Sequence, residues 1–396
     1  MIYVGIDIAS EKHDCCIVRE DKKILSSFTF PNRAKGFALL LDELAKQAPS
    51  ENIRVGLEAT GIYGTNLAAF LRRNGIQITT LNPLLLKNNL KGTTLRKTKT
   101  DKIDAKHIAY FLMQVDTQPD LPVLYHISEL KSLTRSRQKT VQERSRAMIQ
   151  AKGALKVLFP EFELLFSDIF GAAATAVLTQ FPSAHAVSKA RVDTLANIIR
   201  KDSRGRLGRA KAEALKAAAL TSIGTHSSAL ELNVKMYYQR IALFSEQIRE
   251  LEAQIKKIMV ELDSPITTIP GISWTLGSII LAEIGDIRKF ASPAKLLSFM
   301  GIEPSIYQSG KYSAASGKMV KRGSPYLRWA ILQAAKSVAA YSSTFGAYFS
   351  KKLNENKHYN VAASHCAKKL VRVIFAILNK NVPFLDNFFH SLLDFS

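Results

Sequence analysis

The stretch that decides the fold is Ile2-Tyr3-Val4-Gly5-Ile6-Asp7-Ile8, an apolar run interrupted by one carboxylate. A short, β-branched run flanked by polar residues is typical of a strand that is buried on both faces. A buried, ionised carboxylate is costly unless a cation or hydrogen-bond donors receive it. Asp7 therefore needs a partner, and a bound metal ion is one of the few adequate partners.

The residues that follow predict an alternating α/β domain. Two further strands, over 14–19 and 24–30, are joined by a short polar segment that suits a hairpin. A helix over 34–47, a strand over 53–57, a helix over 63–73 and a strand over 76–81 come next. Three meandering strands followed by alternating helices and strands is the order of a ribonuclease-H-like α/β domain. Glu58 would then end the fourth strand, much as Asp7 lies near the end of the first.

Two more carboxylates open a predicted helix. Asp101 and Asp104 are three residues apart in Thr100-Asp101-Lys102-Ile103-Asp104-Ala105-Lys106-His107, and residues with this spacing share a helix face. The alternative is that they only cap the helix and offset its dipole. Asp7 and Glu58, each taken singly, also fit the description of polar residues at strand ends.

Composition favours a polyanionic partner. The 396 residues carry a formal net charge of +22, so nucleic acid is the first expectation and an anionic membrane surface the second. A hydrophobic content of 47% indicates a globular chain, long enough for two or three domains. No apolar run approaches the roughly 18 residues of a spanning helix, and Met1 leads directly into a core strand, which predicts a cytoplasmic protein. Cys15, Cys16 and Cys366 are wrongly spaced for a zinc site or a disulfide framework.

The middle of the chain predicts long basic helices. The segment 84–99 is rich in Lys and Arg, and a helix over 128–159 carries mostly positive charges, which indicates phosphate contacts unless it is only a solvated face. Residues 161–225 are Ala-rich and mostly helical, with a second basic cluster from Arg200 to Lys211. A heptad seam over 227–262 predicts a coiled coil, whose partner is either the 128–159 helix or the same segment of another chain. Its members are Leu230, Val234, Tyr237, Ile241, Phe244, Ile248, Leu251, Ile255 and Ile258.

The C-terminal part contains two segments suited to holding phosphates. Ile269-Pro270-Gly271-Ile272 resembles a helix-hairpin-helix turn, although a plain turn between helices is an equal alternative. A loop over 308–324 is rich in small, polar and basic residues. We expect nucleic acid to contact the following residues: Lys97, Lys99, Arg135, Arg137, Arg144, Arg146, Gly271, Lys311, Lys318, Lys321 and Arg322.

Six motifs in order resemble the IS110 family of insertion-sequence transposases, which includes the pilin-gene invertases. They are Gly5-Ile6-Asp7 with Glu11-Lys12, Leu57-Glu58-Ala59-Thr60-Gly61, Asn82-Pro83, Lys99 to Ala105, Ile269 to Ile272, and Gln308-Ser309-Gly310. The resemblance implies a RuvC-like catalytic domain over 1–120 and a basic helical and coiled-coil linker over 121–262, with a helical insertion at about 161–225. It also implies a mainly helical transposase domain over 263–396.

The same resemblance implies the chemistry. Asp7, Glu58, Asp101 and Asp104 match the family's acidic tetrad, and Ser309 matches its catalytic serine. Four carboxylates so close cannot all stay ionised without cations. Two Mg²⁺ ions about 4 Å apart would neutralise them and grip the scissile phosphate, and Mn²⁺ is an acceptable substitute. Ser309 would attack the phosphate and form a phosphoserine link; Tyr307, Tyr312, Ser313 and Ser316 are the competing nucleophiles nearby.

The partners that the resemblance implies are donor and target DNA, a structured guide RNA, and further copies of the chain in a dimer or tetramer held by the coiled coil. The serine and the acids of one site could then come from different subunits. Alternatives are a site-specific DNA invertase with the same chemistry and a Holliday-junction-type nuclease that uses water. A binding protein whose acids are only caps is a further alternative.

Overall fold

A computed structural model describes residues 1–58, 63–81, 83, 86–89, 100–115, 125–303, 308–309, 312–313 and 319–386. The chain divides into two compact units, Met1–Pro122 and Val123–Ser396. The predicted boundaries at 120/121 and 262/263 remain predictions, as does any structure for residues outside the described ranges.

The N-terminal unit is built on one five-stranded sheet. Its elements in chain order are β1 (Ile2–Ile8), β2 (Lys12–Arg19), β3 (Ile24–Pro31), α1 (Ala34–Ala45), a 3-10 turn (Ser50–Asn52), β4 (Ile53–Glu58), α2 (Thr65–Arg73), β5 (Gln77–Leu81) and α3 (Asp101–Gln114). The strand order is β3-β2-β1-β4-β5, antiparallel from β3 to β1 and parallel from β1 to β5. This arrangement confirms the ribonuclease-H-like fold that the sequence predicts.

Helices cover both faces of this sheet. On one face, Phe37 and Leu40 of α1 and Leu67 of α2 pack on Val4 and Ile6. On the other face, α3 packs Ala105, Ala109 and its aliphatic residues on β1 and β2. Burial on both faces explains why β1 and β4 read as nearly continuous apolar runs.

The second unit contains two long helices that pair within the chain. They are α4 (Tyr125–Leu158) and α10 (Ser228–Leu262). Arg137 pairs with Glu252, and Arg144 donates to Ser245, so residue numbers rise on one helix as they fall on the other and the pair is antiparallel. Of the two partners that the sequence allowed for the heptad seam, the structure selects α4 of the same chain.

The buried line of α10 is shifted slightly from the predicted seam. Tyr238 and Met259 are buried where Tyr237 and Ile258 were expected to be, although Val234, Ile248 and Ile255 are buried as predicted. The shift brings Ser245 and Glu252 into half-buried positions facing α4, where its arginines reach them. The helix pair therefore contains polar layers that the all-apolar heptad pattern did not predict.

A separate helical core sits at one end of this pair. It is formed by α5 (Phe162–Leu165), α6 (Ala172–Gln180), α7 (Ala184–Lys189), α8 (Val192–Asp202) and α9 (Arg209–Leu220). Their apolar faces pack on Leu155 and Leu158 of α4 and on Val234 and Tyr238 of α10. This insert, residues 162–220, confirms the predicted helical character of the segment.

The other end of the helix pair joins the C-terminal core, where Leu130, Ile255 and Met259 pack. The elements there are a 3-10 turn (Pro265–Thr268), α11 (Trp274–Ile284), a 3-10 turn (Ile287–Lys289), α12 (Pro293–Met300), β6 (Gln308–Ser309), β7 (Tyr312–Ser313), α13 (Pro325–Tyr341), α14 (Ser343–Asn354) and α15 (Tyr359–Lys380). Within the described ranges, no helix combines the length and the apolar character that crossing a bilayer requires.

Candidate active site

Two glycines in adjacent strands allow a helix to approach the sheet closely. Gly5 of β1 and Gly56 of β4 are partners in the strand register. A Cβ on Gly5 would collide with the carbonyl oxygen of Ala105 and the amide nitrogen of Ala109, and one on Gly56 would lie 3.1 Å from Ile108. The backbone of α3 therefore packs directly on these two glycines, which we call the glycine floor. Any residue larger than glycine at position 5 would prevent this contact.

This packing brings the predicted acids to one edge. Successive side chains of a strand alternate between faces, so Asp7 and Glu58, two residues beyond Gly5 and Gly56, lie on the same face as α3. Asp104 immediately precedes Ala105, which touches that floor, and Asp101 lies one turn earlier on α3. The four acids of the predicted tetrad thus converge at the ends of β1 and β4 and the start of α3.

The raised pKa of Asp7 is consistent with this grouping of acids. Burial raises the pKa of Asp7 to about 6, with further contributions from the negative charges of Asp104, Asp101, Glu58 and Asp14, in that order. Repulsion of this kind arises when carboxylates lie close together without enough compensating cations. The region is therefore a concentration of negative charge from carboxylates.

The structure assigns the side-chain cap of this helix to a neighbouring threonine, and the dipole part of the capping alternative remains open. Thr100 is the N-cap of α3, and its side chain accepts the hydrogen bond from the amide of Ile103. Asp101 is exposed and Asp104 is half-buried in the first turn. Both carboxylates still benefit from the positive end of the helix dipole, but the side-chain cap belongs to Thr100.

Sequence reasoning missed a fifth acid at this edge. Asp14 of β2 lies directly opposite Asp7 in the register, is 6% exposed, and accepts a 2.6 Å hydrogen bond from the Thr29 hydroxyl. The sequence did contain a signal for Asp14: it follows the turn between β1 and β2 at the same distance at which Asp7 precedes it. The Thr29 bond gives this buried carboxylate a donor of its own, which the sequence pattern alone did not indicate.

The carboxylates do not form a preset metal cage. Among the described residues, no three His, Cys, Asp or Glu side chains are placed so that they could share one metal ion. The tetrad residues are gathered on one edge, but their side chains would have to rotate to ligate a common cation.

Ser309 lies in the second unit, at the end of β6. The backbones of β6 and β7 form a two-residue antiparallel ladder in which Ser309 pairs with Tyr312 and Gln308 with Ser313. Ser309 is thus the last residue of β6, and its pairing partner Tyr312 is the first residue of β7.

A closely fitted stem, formed by residues 301–303 and 319–323, flanks β6 and β7 in the sequence. The amide of Val320 donates to the Glu303 carbonyl at 2.9 Å, and the amide of Lys321 donates to the Gly301 carbonyl at 3.1 Å. Arg328 donates to two further carbonyls of this region, those of Met300 at 3.2 Å and Arg322 at 3.3 Å. The two ends of the loop are thereby fixed to each other and to α13.

Two glycines with positive φ make this stem possible. Gly301 has φ +66° and Gly323 has φ +84°. A Cβ on Gly301 would collide with the carbonyl oxygen of Arg322, and one on Gly323 with that of Phe299. Both positions therefore need glycine for the backbone angle and for the close approach.

A buried ion pair anchors the stem to the helix pair. Glu283 of α11 is 3% exposed and receives two hydrogen bonds from Arg135 of α4, at 2.7 and 3.0 Å. It also accepts a 2.7 Å bond from the hydroxyl of Ser324, the N-cap of α13. Burial alone would raise the pKa of Glu283, but the bonds from Arg135 and Ser324 and the charge of Lys131 outweigh it and lower the pKa. Sequence reasoning missed Glu283, although a single carboxylate within the apolar run 279–284 gave the same kind of signal as Asp7 in β1.

The residues predicted to contact nucleic acid have varied surroundings. Arg135, Arg137 and Arg146 pair with Glu283, Glu252 and Glu143, and Arg144 donates to Ser245. Lys321 and Arg322 are exposed. Lys97, Lys99, Lys311 and Lys318 lie outside the described residues. A nucleic-acid role for each of these residues remains a prediction.

Gly271 has φ +84°, and a Cβ there would lie 2.7 Å from the backbone of Ser337. The turn that it forms therefore packs against α13. This contact explains the glycine by packing, and a phosphate-binding role for the turn remains a prediction.

Comparison with known proteins gives consistent matches at both ends of the chain. Residues 4–160 match a sequence profile of IS110-type transposases with a DEDD domain, and residues 263–350 match that of the transposase IS116/IS110/IS902 family. The uncharacterized 44.8 kDa protein of insertion element IS116 from Streptomyces clavuligerus is 24% identical over 387 residues, covering 95% of this chain and 94% of that protein. The pilin gene-inverting protein of Moraxella bovis is 30% identical over 173 residues, covering 40% of this chain and 52% of that protein.

Among solved structures, the RuvC protein of Thermus thermophilus in complex with a Holliday junction matches 30% of this chain and 99% of its own. The sequence identity is 16% and the TM-score 0.24.

Proposed function

Because the chain belongs to the IS110 family of transposases, we propose that it cuts and rejoins DNA with Asp7, Glu58, Asp101, Asp104 and Ser309. The observation that carries the proposal is the convergence of four acids around Asp7, whose pKa is raised by burial and by their charges. A cluster of this kind has little structural value because it opposes folding of its own unit. Its function is better explained by a positively charged ligand.

The donor set fits a hard divalent cation. Carboxylate oxygens without thiolate or imidazole suit Mg²⁺ or Mn²⁺ better than zinc. Asp7, Glu58, Asp101 and Asp104 would hold a divalent cation, which would supply positive charge to the scissile phosphate and ease deprotonation of the attacking hydroxyl. The acids would thus hold the DNA strand in register for attack, while α3 and the glycine floor keep the edge in place.

Ser309 is the proposed nucleophile. Its hydroxyl oxygen forms a new ester bond to phosphorus as one phosphorus–oxygen bond of the DNA backbone breaks, and the departing strand end takes up a proton as a free hydroxyl. One ester replaces another, so reversal of the step by a different strand end rejoins DNA without an energy source. The support is the match of Gln308-Ser309-Gly310 to the family pattern and the backbone pairing of Ser309 with Tyr312 at the end of β6.

The deciding experiment compares Ser309→Ala with Ser313→Ala, the matched serine on the opposite strand of the hairpin. Full-length protein is incubated with element-end DNA and Mg²⁺, and covalent protein–DNA adducts are resolved on a denaturing gel. We expect Ser309→Ala to abolish the adduct and to lower strand cleavage by about 1000-fold or more, with DNA binding unchanged. Undiminished cutting by Ser309→Ala would establish a nuclease that uses water; loss in Ser313→Ala alone would make Ser313 the nucleophile.

The proposal includes a structured guide RNA and assembly of several copies. The net charge of +22 favours binding of a large polyanion such as RNA in addition to DNA. In α10 the heptad seam is covered by α4, so assembly through the helix pair would use its outer face, where Leu232, Met236 and Leu243 are exposed. Sequencing the RNA that copurifies with the protein from its own cells tests the first part; absence of a discrete RNA encoded beside the gene would refute it.

Inversion of a DNA segment is a second candidate, favoured by the similarity to the pilin gene-inverting protein of Moraxella bovis. The chemistry would be the same and the outcome would depend on how two sites are paired. Supplying two sites on one plasmid distinguishes the two functions, because an invertase flips the intervening segment whereas a transposase excises or moves it.

A further inference from the structure

The insert carries a group of exposed cations, which we name the insert patch: Arg200, Lys201, Arg204 and Arg206. They occupy the last turn of α8 and the connection to α9. Within the described parts of the chain, none of the four forms an ion pair or a side-chain hydrogen bond. Neighbouring cations differ: Arg209 pairs with Asp193 and Glu213, and Lys216 donates to the Ala190 carbonyl.

The backbone beneath the insert patch is firmly fixed. The amide of Gly205 donates to the Arg200 carbonyl at 2.8 Å, and the hydroxyl of Ser203 accepts from the Leu207 amide at 3.0 Å and donates to its carbonyl at 3.2 Å. Arg204 and Gly205 have φ values of +52° and +80°, which turn the chain sharply after α8. The four cations are therefore displayed from a preformed turn, so little backbone entropy is lost when a ligand binds.

The surroundings of the insert patch favour a charged partner over an apolar one. Among the described residues between 192 and 212, no large apolar side chain is exposed, although Leu220 and Ile223 are exposed further along. A membrane or protein partner would need apolar anchors here. Two acids, Asp168 and Asp202, are close to the insert patch. Both line an adjoining cavity of about 500 Å³, together with Arg204 and Arg206. The cations outnumber them by two to one.

We propose that the insert patch binds the phosphate backbone of duplex DNA, and that the insert thereby adds a second DNA-holding surface outside the predicted catalytic residues. The choice of DNA rests on the proposed function. Phosphate contacts by exposed Arg and Lys on a fixed turn give affinity and position without reading sequence. The insert patch belongs to a compact helical core joined to the α4–α10 pair, so it can hold DNA at a fixed distance along that pair.

The test is a matched pair of charge-neutralised, full-length variants. The first carries Arg200→Gln, Lys201→Gln, Arg204→Gln and Arg206→Gln. The control carries Lys235→Gln, Arg240→Gln, Lys256→Gln and Lys257→Gln. These substitutions neutralise four cations of α10 and so remove the same charge from the same unit. Affinity for a fluorescent mixed-sequence DNA duplex is measured across a series of NaCl concentrations, and thermal melting verifies that both variants are folded.

The insert-patch variant should bind at least about tenfold more weakly. The negative slope of log K against log [NaCl] should become less steep by about 3.6, because each of the four lost phosphate contacts removes about 0.9. The control should change the slope by less than about 1. Equal losses in both variants would refute a specific surface and leave only net charge. Unchanged DNA binding, with or without loss of binding to an RNA duplex, would also overturn the proposal.

A cleavage assay separates this inference from the proposed function. With DNA at saturating concentration, the insert-patch variant should form the serine–DNA adduct at the wild-type rate because the cutting residues are intact. If Ser309→Ala still cuts DNA, the proposed chemistry fails, whereas the salt slope of the insert-patch variant still decides whether the surface binds DNA.

Discussion

At the scale of single residues, Glu283 shows how a buried charge is maintained in an apolar helix. Its neighbours on α11 are almost all buried hydrophobic residues, yet the carboxylate is satisfied by Arg135 and Ser324. An ionised group at 3% exposure would be strongly destabilising without such partners. The bond to Ser324 reaches the start of α13, next to the stem of the Ser309 hairpin.

We predict that Glu283→Gln destabilises the second unit in a pH-dependent way. The pKa of Glu283 is lowered in the folded protein, so its contribution to stability is fully present above its unfolded pKa of about 4.3 and is lost as pH falls through the folded pKa. Urea denaturation should therefore show a loss of about 2 kcal/mol at pH 7, where Arg135 is left without its counter-charge, and a smaller loss at lower pH.

The matched control is Glu252→Gln, which breaks another α4 ion pair, to Arg137, at a site 42% exposed. An exposed pair of this kind should contribute below about 1 kcal/mol. Equal losses for the two variants, or a Glu283→Gln loss that is independent of pH, would contradict the account of Glu283.

At the scale of elements, the stem of the Ser309 hairpin depends on backbone fit. Residues 301–303 and 319–323 approach so closely that side chains are excluded at Gly301 and Gly323, and Arg328 bonds to carbonyls on both sides. The two backbone segments that flank β6 and β7 in the sequence are thus held together by glycine geometry and backbone hydrogen bonds. The sequence signalled a loop rich in small residues, but only the fold shows which glycines are required.

We predict that Gly323→Ala costs about 3 kcal/mol or more and displaces the hairpin, because the new Cβ meets a carbonyl oxygen and the residue has positive φ. Gly205→Ala is the control: Gly205 also has positive φ but nothing lies within 4 Å of its Cβ position, so a cost of about 1 kcal/mol is expected. Chemical denaturation gives both values, and hydrogen exchange of the Val320 and Lys321 amides reports the stem. Similar costs at the two positions would show that the stem is adaptable.

At the scale of the whole molecule, the candidate catalytic residues are divided between two compact units. The acids around Asp7 belong to Met1–Pro122, whereas the Ser309 hairpin, Glu283 and the insert belong to Val123–Ser396. Both tryptophans, Trp274 and Trp329, are also in the second unit. Tryptophan fluorescence therefore reports the second unit alone, and far-ultraviolet circular dichroism reports both.

We predict that Mg²⁺ raises the unfolding temperature of the first unit only. A cation bound among the acids relieves their repulsion, and saturation at 100 times the Kd stabilises by about 2.7 kcal/mol, so the dichroism transition should shift while the fluorescence transition does not. Asp104→Asn should weaken the Mg²⁺ shift and raise the melting temperature in the absence of metal. Asp42→Asn, an exposed acid of α1 in the same unit, is the control and should do neither. A Mg²⁺ shift of equal size in Asp104→Asn would remove that residue from the metal site.

Much of the first unit could be predicted because its signals are local. The apolar runs of β1 and β4 and the periodicity of α1 and α2 depend on neighbours in the chain, and each lies within a few residues of its predicted bounds. Asp7 and Glu58 were found in the same way, as carboxylates beside such runs, whereas Asp101 and Asp104 were found from their spacing at the start of a predicted helix. Gly5 and Gly56, each two residues before an acid, carried a signal that was available but became meaningful only through the register that pairs them.

The sequence by itself determined the order of strands and helices, the positive charge and the positions of the candidate acids and serine along the chain. Only the tertiary structure decided that α3 lies on the Gly5–Gly56 floor, that Asp14 joins the acids, that α4 covers the seam of α10, and that Glu283 reaches both Arg135 and Ser324. The physical reason is range: periodicity and turn chemistry act over a few residues, whereas register, close backbone packing and buried ion pairs join residues that are far apart in the chain.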